Sequence, residues 1–155
     1  MVALVFMVVL VVALGFYFKF SLENTQEKGE DACLVSNTVM LSSIANMPEI
    51  QCSQGGKRVQ CIDTTKLMVF DAGREYKDFF TANCDQKVYF TQVYPEPLVE
   101  DEECVQGNYP ECAIFPYYDP QIESTSSIII STPVSLYFPM DDEYRFGRLV
   151  IEVLR

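Results

Sequence analysis

The 155-residue chain contains no histidine and no tryptophan. Without histidine the commonest general base is missing, and with it Ser-His-Asp triads, Cys-His dyads and histidine-bearing metal sites. Catalysis would have to run on carboxylates or lysine alone, and a membrane-tethered enzyme is the weakest of the readings considered. No CxxC pair occurs, which makes zinc a poor competitor for the cysteines. There is no N-x-S/T sequon, so N-glycosylation at a standard acceptor is not expected. No internal repeat is present.

Positive charge is also scarce. Eleven Lys and Arg face 22 Asp and Glu, for a formal net charge of −11. Between Lys87 and Arg145 there is no basic residue, whereas Glu96, Glu100, Asp101, Glu102, Glu103, Glu111, Asp119, Glu123, Asp141, Asp142 and Glu143 all fall there. A nucleic-acid partner is excluded, because no basic footprint exists. The acids read as a solvated, self-repelling surface, with a divalent cation or a basic partner as the alternatives.

What the chain does have begins at once: MVALVFMVVLVVALGFYFKF, with no charge in residues 1–18. As a helix this run rises about 27 Å, close to the ~30 Å hydrocarbon core of a bilayer. It is long for the apolar region of a cleaved signal, nothing basic precedes it, and Phe16-Tyr17-Phe18 closes it where small residues are wanted. As a plain anchor, its first basic residue, Lys19, would place the body in the cytoplasm. The cysteines argue for the opposite side. The expectation that reconciles the two is a basic leader preceding Met1 and since removed.

The six cysteines are Cys33, Cys52, Cys61, Cys84, Cys104 and Cys112. An even number in a small domain behind an apolar leader points to three disulfides in an oxidising space. CSQGGKRVQC and CVQGNYPEC each hold a turn signal between their cysteines, so Cys52–Cys61 and Cys104–Cys112 are expected as local bridges. Cys33 and Cys84 are left to pair over a long range.

From Ser21 to Asn46 no proline interrupts a helical pattern. Cys33, Met40, Ile44 and Met47 recur on one face, opposite Glu27, Asp31, Thr38 and Ser42, and Pro48 ends it. The apolar run therefore continues into one helix of about 46 residues. Beyond it, Pro48 to Cys61 reads as a disulfide-closed loop, and CIDTTKLMVFDAG with REYKDFFTANC as a short helical pair. KVYFTQVYP reads as a strand, 95–112 as an acidic excursion, and AIFPYY as an edge or bulged strand. TSSIIISTPVSLYFP is the longest strand, broken or bulged at Pro133, and RFGRLVIEVLR after a DDEY turn closes the sheet. The expected fold is α+β and disulfide-rich: a long N-terminal α-helix, an apolar stem continuing into an amphipathic half, packed on a C-terminal antiparallel sheet of about four strands with the short helical pair. The segments are a stem (1–20), an amphipathic continuation (21–47) and a globular head (48–155).

In this plan the chain resembles the type IV pilins, in particular archaeal pilin-like subunits with class III (pilin-type) signals. The likeness rests on MVALVFMVVLVVALGFYFKF running into the stretch ending IANMPEIQC, on PEIQC…CID, and on ISTPVSLYFPMDDEYRFGRLVIEVL. Residues 1–18 lack the acidic residue that bacterial pilins carry near the mature N-terminus. The resemblance implies a structural, cell-surface protein that polymerises with copies of itself after a membrane-embedded stage. Its stem would be Val2, Leu4, Val5, Phe6, Val8, Val9, Leu10, Val12, Leu14, Phe16, Phe18 and Phe20. The acidic head would face solvent and set adhesion and glycan display. No catalytic residue, metal, cofactor, nucleic acid or small-molecule substrate is expected. The alternative is a single-pass, membrane-anchored extracytoplasmic binding protein.

Overall fold

The computed structural model describes residues 2–54, 57–70, 72–81, 84–97, 99, 102–122 and 124–154; side chains at 2–5, 20, 22–31, 54, 57 and 58 are outside the description. The elements in chain order are α1 (Val2–Ala45), β1 (Gln51–Gln54), β2 (Lys57–Asp63), α2 (Thr64–Val69), α3 (Ala72–Glu75), α4 (Lys77–Thr81), β3 (Gln86–Tyr94), β4 (Ile114–Tyr118), β5 (Ser127–Phe138) and β6 (Glu143–Leu154). The chain divides into two compact units, Met1–Val35 and Ser36–Arg155.

The second unit is built on one six-stranded sheet in the order β1-β2-β5-β6-β3-β4. Its backbone is the β5–β6 hairpin, which runs in unbroken antiparallel register from Ser127↔Leu154 to Phe138↔Glu143. Alternation sorts the side chains. Leu149, Ile151 and Val153 of β6 are buried on the same face as Val88 and Phe90 of β3. The Ser36–Ala45 part of α1 buries Met40, Leu41 and Ile44. Gln86 donates through Nε2 to the Met40 sulfur (3.2 Å) and to the Phe80 carbonyl (3.0 Å). Buried Asn37 donates to the Cys84 sulfur at 3.3 Å. Tyr117 on β4 sits among Phe70, Phe80 and Phe90, with ring centroids 5.6 to 6.0 Å away. It also donates its hydroxyl to the Met47 sulfur at 3.1 Å.

Several expectations need correction. The fold is α+β, but the sheet is mixed and six-stranded, not a four-stranded antiparallel one: β2 pairs with β5 in parallel through Ile62↔Leu136 and Asp63↔Tyr137. The extra strands come from the segment read as a loop, since β1 and β2 form a hairpin. Their short, polar sequences carry little strand signal. The helical pair is three short helices, and Cys61–Asp63 belongs to β2. Asp63 caps α2, its Oδ1 accepting from the Thr65 and Lys66 backbone N–H groups at 3.0 and 3.3 Å. Pro133 neither breaks nor bulges β5, because it pairs opposite Arg148 in continuous register. The expected long apolar stem packed on the domain is also corrected: the chain divides into two compact units between Val35 and Ser36, and among the described residues no helix is long and apolar enough to cross a membrane. Pro116, by contrast, lies on an edge strand beside a register shift, as the sequence anticipates.

Gly147 is the tightest point of the hairpin. A Cβ there would lie 2.6 Å from Leu136 Cδ1 and 2.8 Å from the Thr91 carbonyl oxygen. Leu136 is fully buried and cannot swing clear. Gly147→Ala is expected to destabilise the domain by about 1–3 kcal/mol, measured as a lower urea midpoint with unchanged slope.

Candidate assembly surface and the Arg145 cleft

In the first unit, Phe6, Met7, Val8, Val9, Leu10, Val11, Val12, Leu14, Phe16, Tyr17 and Phe18 are all exposed, from 41% at Leu10 to 71% at Phe16. Successive helical residues are 100° apart, so these side chains cover every face of the helix. A single chain leaves that surface in water. Each such Val, Leu or Phe would gain roughly 1.5–3 kcal/mol if covered. Of the expected stem, Phe6, Val8, Val9, Leu10, Val12, Leu14, Phe16 and Phe18 share this surface; the side chains of Val2, Leu4, Val5 and Phe20 lie outside the described residues. Among the described residues no helix is long and apolar enough to cross a membrane, which corrects the expectation of a transmembrane helix.

All six cysteines are oxidised. Cys52–Cys61 and Cys104–Cys112 form the two local bridges, and Cys33 and Cys84 are disulfide-bonded as well. The first closes the β1–β2 hairpin. The second closes a loop in which Asn108 accepts from the Val105 N–H and donates to the Glu103 carbonyl. That loop is tied to the sheet by Tyr109. Its ring stacks on Phe138 at 5.9 Å, and its hydroxyl shares a 2.8 Å hydrogen bond with the buried Thr64 hydroxyl, which itself donates to the Tyr137 carbonyl. Burial pushes the Tyr109 hydroxyl pKa upward.

A polar cleft of about 320 Å3 in the second unit is lined by Gln92, Pro95, Glu96, Pro110, Asp141 and Arg145, among others. The peptide bonds preceding Pro95 and Pro110 are cis. Arg145 donates to Gln92 Oε1 (3.2 Å) and Asp141 Oδ2 (2.8 Å), and its guanidinium lies 3.9 Å over the Phe138 ring. Gln92 in turn donates to the Pro95 carbonyl at 2.6 Å. The cation is thus engaged by the protein itself, and the cleft presents no activated nucleophile beside it. The sequence reading passed over Arg145, although it is the first basic residue after a gap of 57.

Of the acidic residues, Glu102 and Glu103 are exposed, while Glu100, Asp101 and Glu123 lie outside the described residues. No three His, Cys, Asp or Glu side chains among the described residues are grouped to hold a metal ion. One ion pair stands apart from the cleft: Lys87 Nζ donates to Asp119 Oδ2 at 2.8 Å. Burial pushes the Asp119 carboxyl up, but the Lys87 hydrogen bond, the Gln121 backbone N–H and the Lys87 charge outweigh it and hold the pKa below its usual value. Comparison of the chain with family models, curated proteins and solved structures finds no match in any of the three.

Two predictions follow from these contacts. Replacing Cys104 and Cys112 together by serine is expected to cost about 2.5 kcal/mol, because a short closed loop is released in the unfolded chain; chemical denaturation measures it. Asp119→Asn is expected to cost under about 1 kcal/mol at neutral pH, the pair being partly exposed. Because the folded pKa is depressed, the wild-type advantage is present above pH 3.8 and disappears as pH falls through the folded value. Parallel thermal melts from pH 7 downward should therefore converge.

Proposed function

We propose that this chain is a structural subunit of an extracellular, type IV pilus-like filament of the archaeal pilin kind, not an enzyme. Copies associate through the N-terminal helix, and the acidic, disulfide-stapled domain is displayed to solvent, where it serves adhesion. The observation that carries this reading is the helix surface from Phe6 to Phe18, apolar on every face and exposed in the single chain. A helix of that kind is stable in an aqueous setting only when other apolar surfaces cover it. Helix-on-helix packing between copies supplies such a cover without directional contacts. Three disulfides fit an oxidising, extracellular environment.

Negative-stain microscopy with antibody labelling of native cell-surface material should find this chain in filaments. Val9→Asp, which places a charge in the middle of the apolar surface, should abolish them while leaving the thermal melt of the disulfide-bonded domain unchanged. Wild-type chain found only as detergent-requiring monomers, never in filaments, would refute the proposal.

A further inference from the structure

We propose that the free edge of β5 is a self-pairing site, at which two copies of this chain join antiparallel across Ser127–Ser131. This does not depend on the filament reading. The sheet has three places where backbone groups lack a neighbouring strand. Two are blunted: β1 is four residues long, and β4 carries Pro116. The third is the outer side of β5. Among the described residues β2 meets β5 only at Leu136 and Tyr137, so Ser127–Ser135 has β6 on one side and no described strand on the other.

Pro133 fixes which backbone groups face outward. It has no N–H, yet it sits in an unbroken ladder with β6, so its nitrogen points away from β6. Backbone direction alternates along a strand, so Ser127, Ile129 and Ser131 also present their N–H and C=O groups to the open side. Tyr137, of the same parity, agrees: its carbonyl accepts from Thr64, off the outer side of β5.

The occupant is read from the sequence of the edge. Ser127-Ile128-Ile129-Ile130-Ser131 is a palindrome. Antiparallel pairing about a two-fold axis at Ile129 sets Ser127 opposite the second copy's Ser131, Ile128 opposite its Ile130, and Ile129 opposite itself. A two-fold interface must be self-complementary in this way. Three outward residues on each copy give about six backbone hydrogen bonds. Outside the palindrome, Ser126 meets Thr132 and Thr125 meets Pro133, whose missing donor ends the ladder. Next to Pro133 lies a cleft of about 230 Å3 lined by Asn46, Gln51, Gln60, Cys61, Val134 and Ser135, among others, which leaves room at that end of the edge. Charge also favours a second copy here. The chain carries a net −11, yet residues 124–140 contain no charged side chain, so no charge on β5 itself opposes a second copy. Ile129, 61% exposed, marks the axis.

The test is sedimentation equilibrium of the full chain in a mild, density-matched detergent. Wild type should dimerise reversibly. Ile129→Pro removes an outward N–H without touching the β6 ladder, and Ile129→Lys sets two cations face to face at the axis; each should weaken the dimer about tenfold or more. Val9→Asp should leave this dimer intact, which separates it from association through the N-terminal helix. Unchanged thermal melts show that the variants fold; should Ile129→Pro not fold, Ile129→Lys decides. The proposal is overturned if wild type stays monomeric at all concentrations, even if another protein binds the edge. It is equally overturned if the variants dimerise as wild type does.

Discussion

The second unit depends on β6 having a partner on each side. It exchanges hydrogen bonds with β5 over twelve residue pairs and with β3 over eight, so it is the one strand from which neither neighbour can slip. A shift of one residue would move Leu149, Ile151 and Val153 from the buried face to the other. Gly147 permits the closest approach along this strand, with Leu136 and the Thr91 backbone filling the space a side chain would need. Register, core and hairpin closure are therefore one constraint. The helices and loops arrange themselves around it.

Outside this centre the structure adds tethers to the remaining core around Ile44, Leu67, Phe80 and Phe115. α2 is held at its start by Asp63 and by Thr64, whose hydroxyl joins the helix, the 104–112 loop and β5 at once. Phe138 is covered by Tyr109 in stacked geometry and by Arg145 as a cation over its ring. The Arg145 charge is then balanced by Asp141. The Arg145 guanidinium in the polar cleft is thus held by Gln92, Asp141 and Phe138, and pairing of that kind orients a structure but activates nothing.

The sequence made some of this legible and concealed the rest for physical reasons. Both local disulfides could be read, because loop closure over eight or nine residues around a turn signal is a short-range property. β3 and β6 could be read because one face of each is buried and their side chains alternate. β1 and β2 could not, since Gln51–Gln54 and Lys57–Asp63 are short and largely polar and stand as strands through each other, the Cys52–Cys61 bridge and the pairing of β2 with β5. The parallel step from β2 to β5 joins residues more than seventy apart, which no local pattern encodes. Pro133 misled because a proline is judged by whether its nitrogen faces a partner, and that is decided by where β2 stops. The apolar segment is plain in composition, and the helical pattern that continues it is α1, Val2–Ala45, but the division into two compact units between Val35 and Ser36 leaves no trace in that pattern.

The distribution of charge links the two surfaces that remain uncovered. A chain with a net −11 resists self-association wherever acids face one another, and its acids are spread over most of the second unit. Among the described stretches that escape this are residues 6–18, which are apolar all round, and residues 124–140, which are uncharged and include an open strand edge. They differ in kind. The first offers area without direction, so in the proposed filament it would set how strongly copies cohere but not how they are turned. The second offers a row of hydrogen-bonding groups with one favoured register, so it fixes orientation while contributing little area. An assembly built on apolar helices alone would be free to rotate about them. A palindromic edge on the attached domain is the sort of contact that removes that freedom, and acidic repulsion elsewhere disfavours the alternatives.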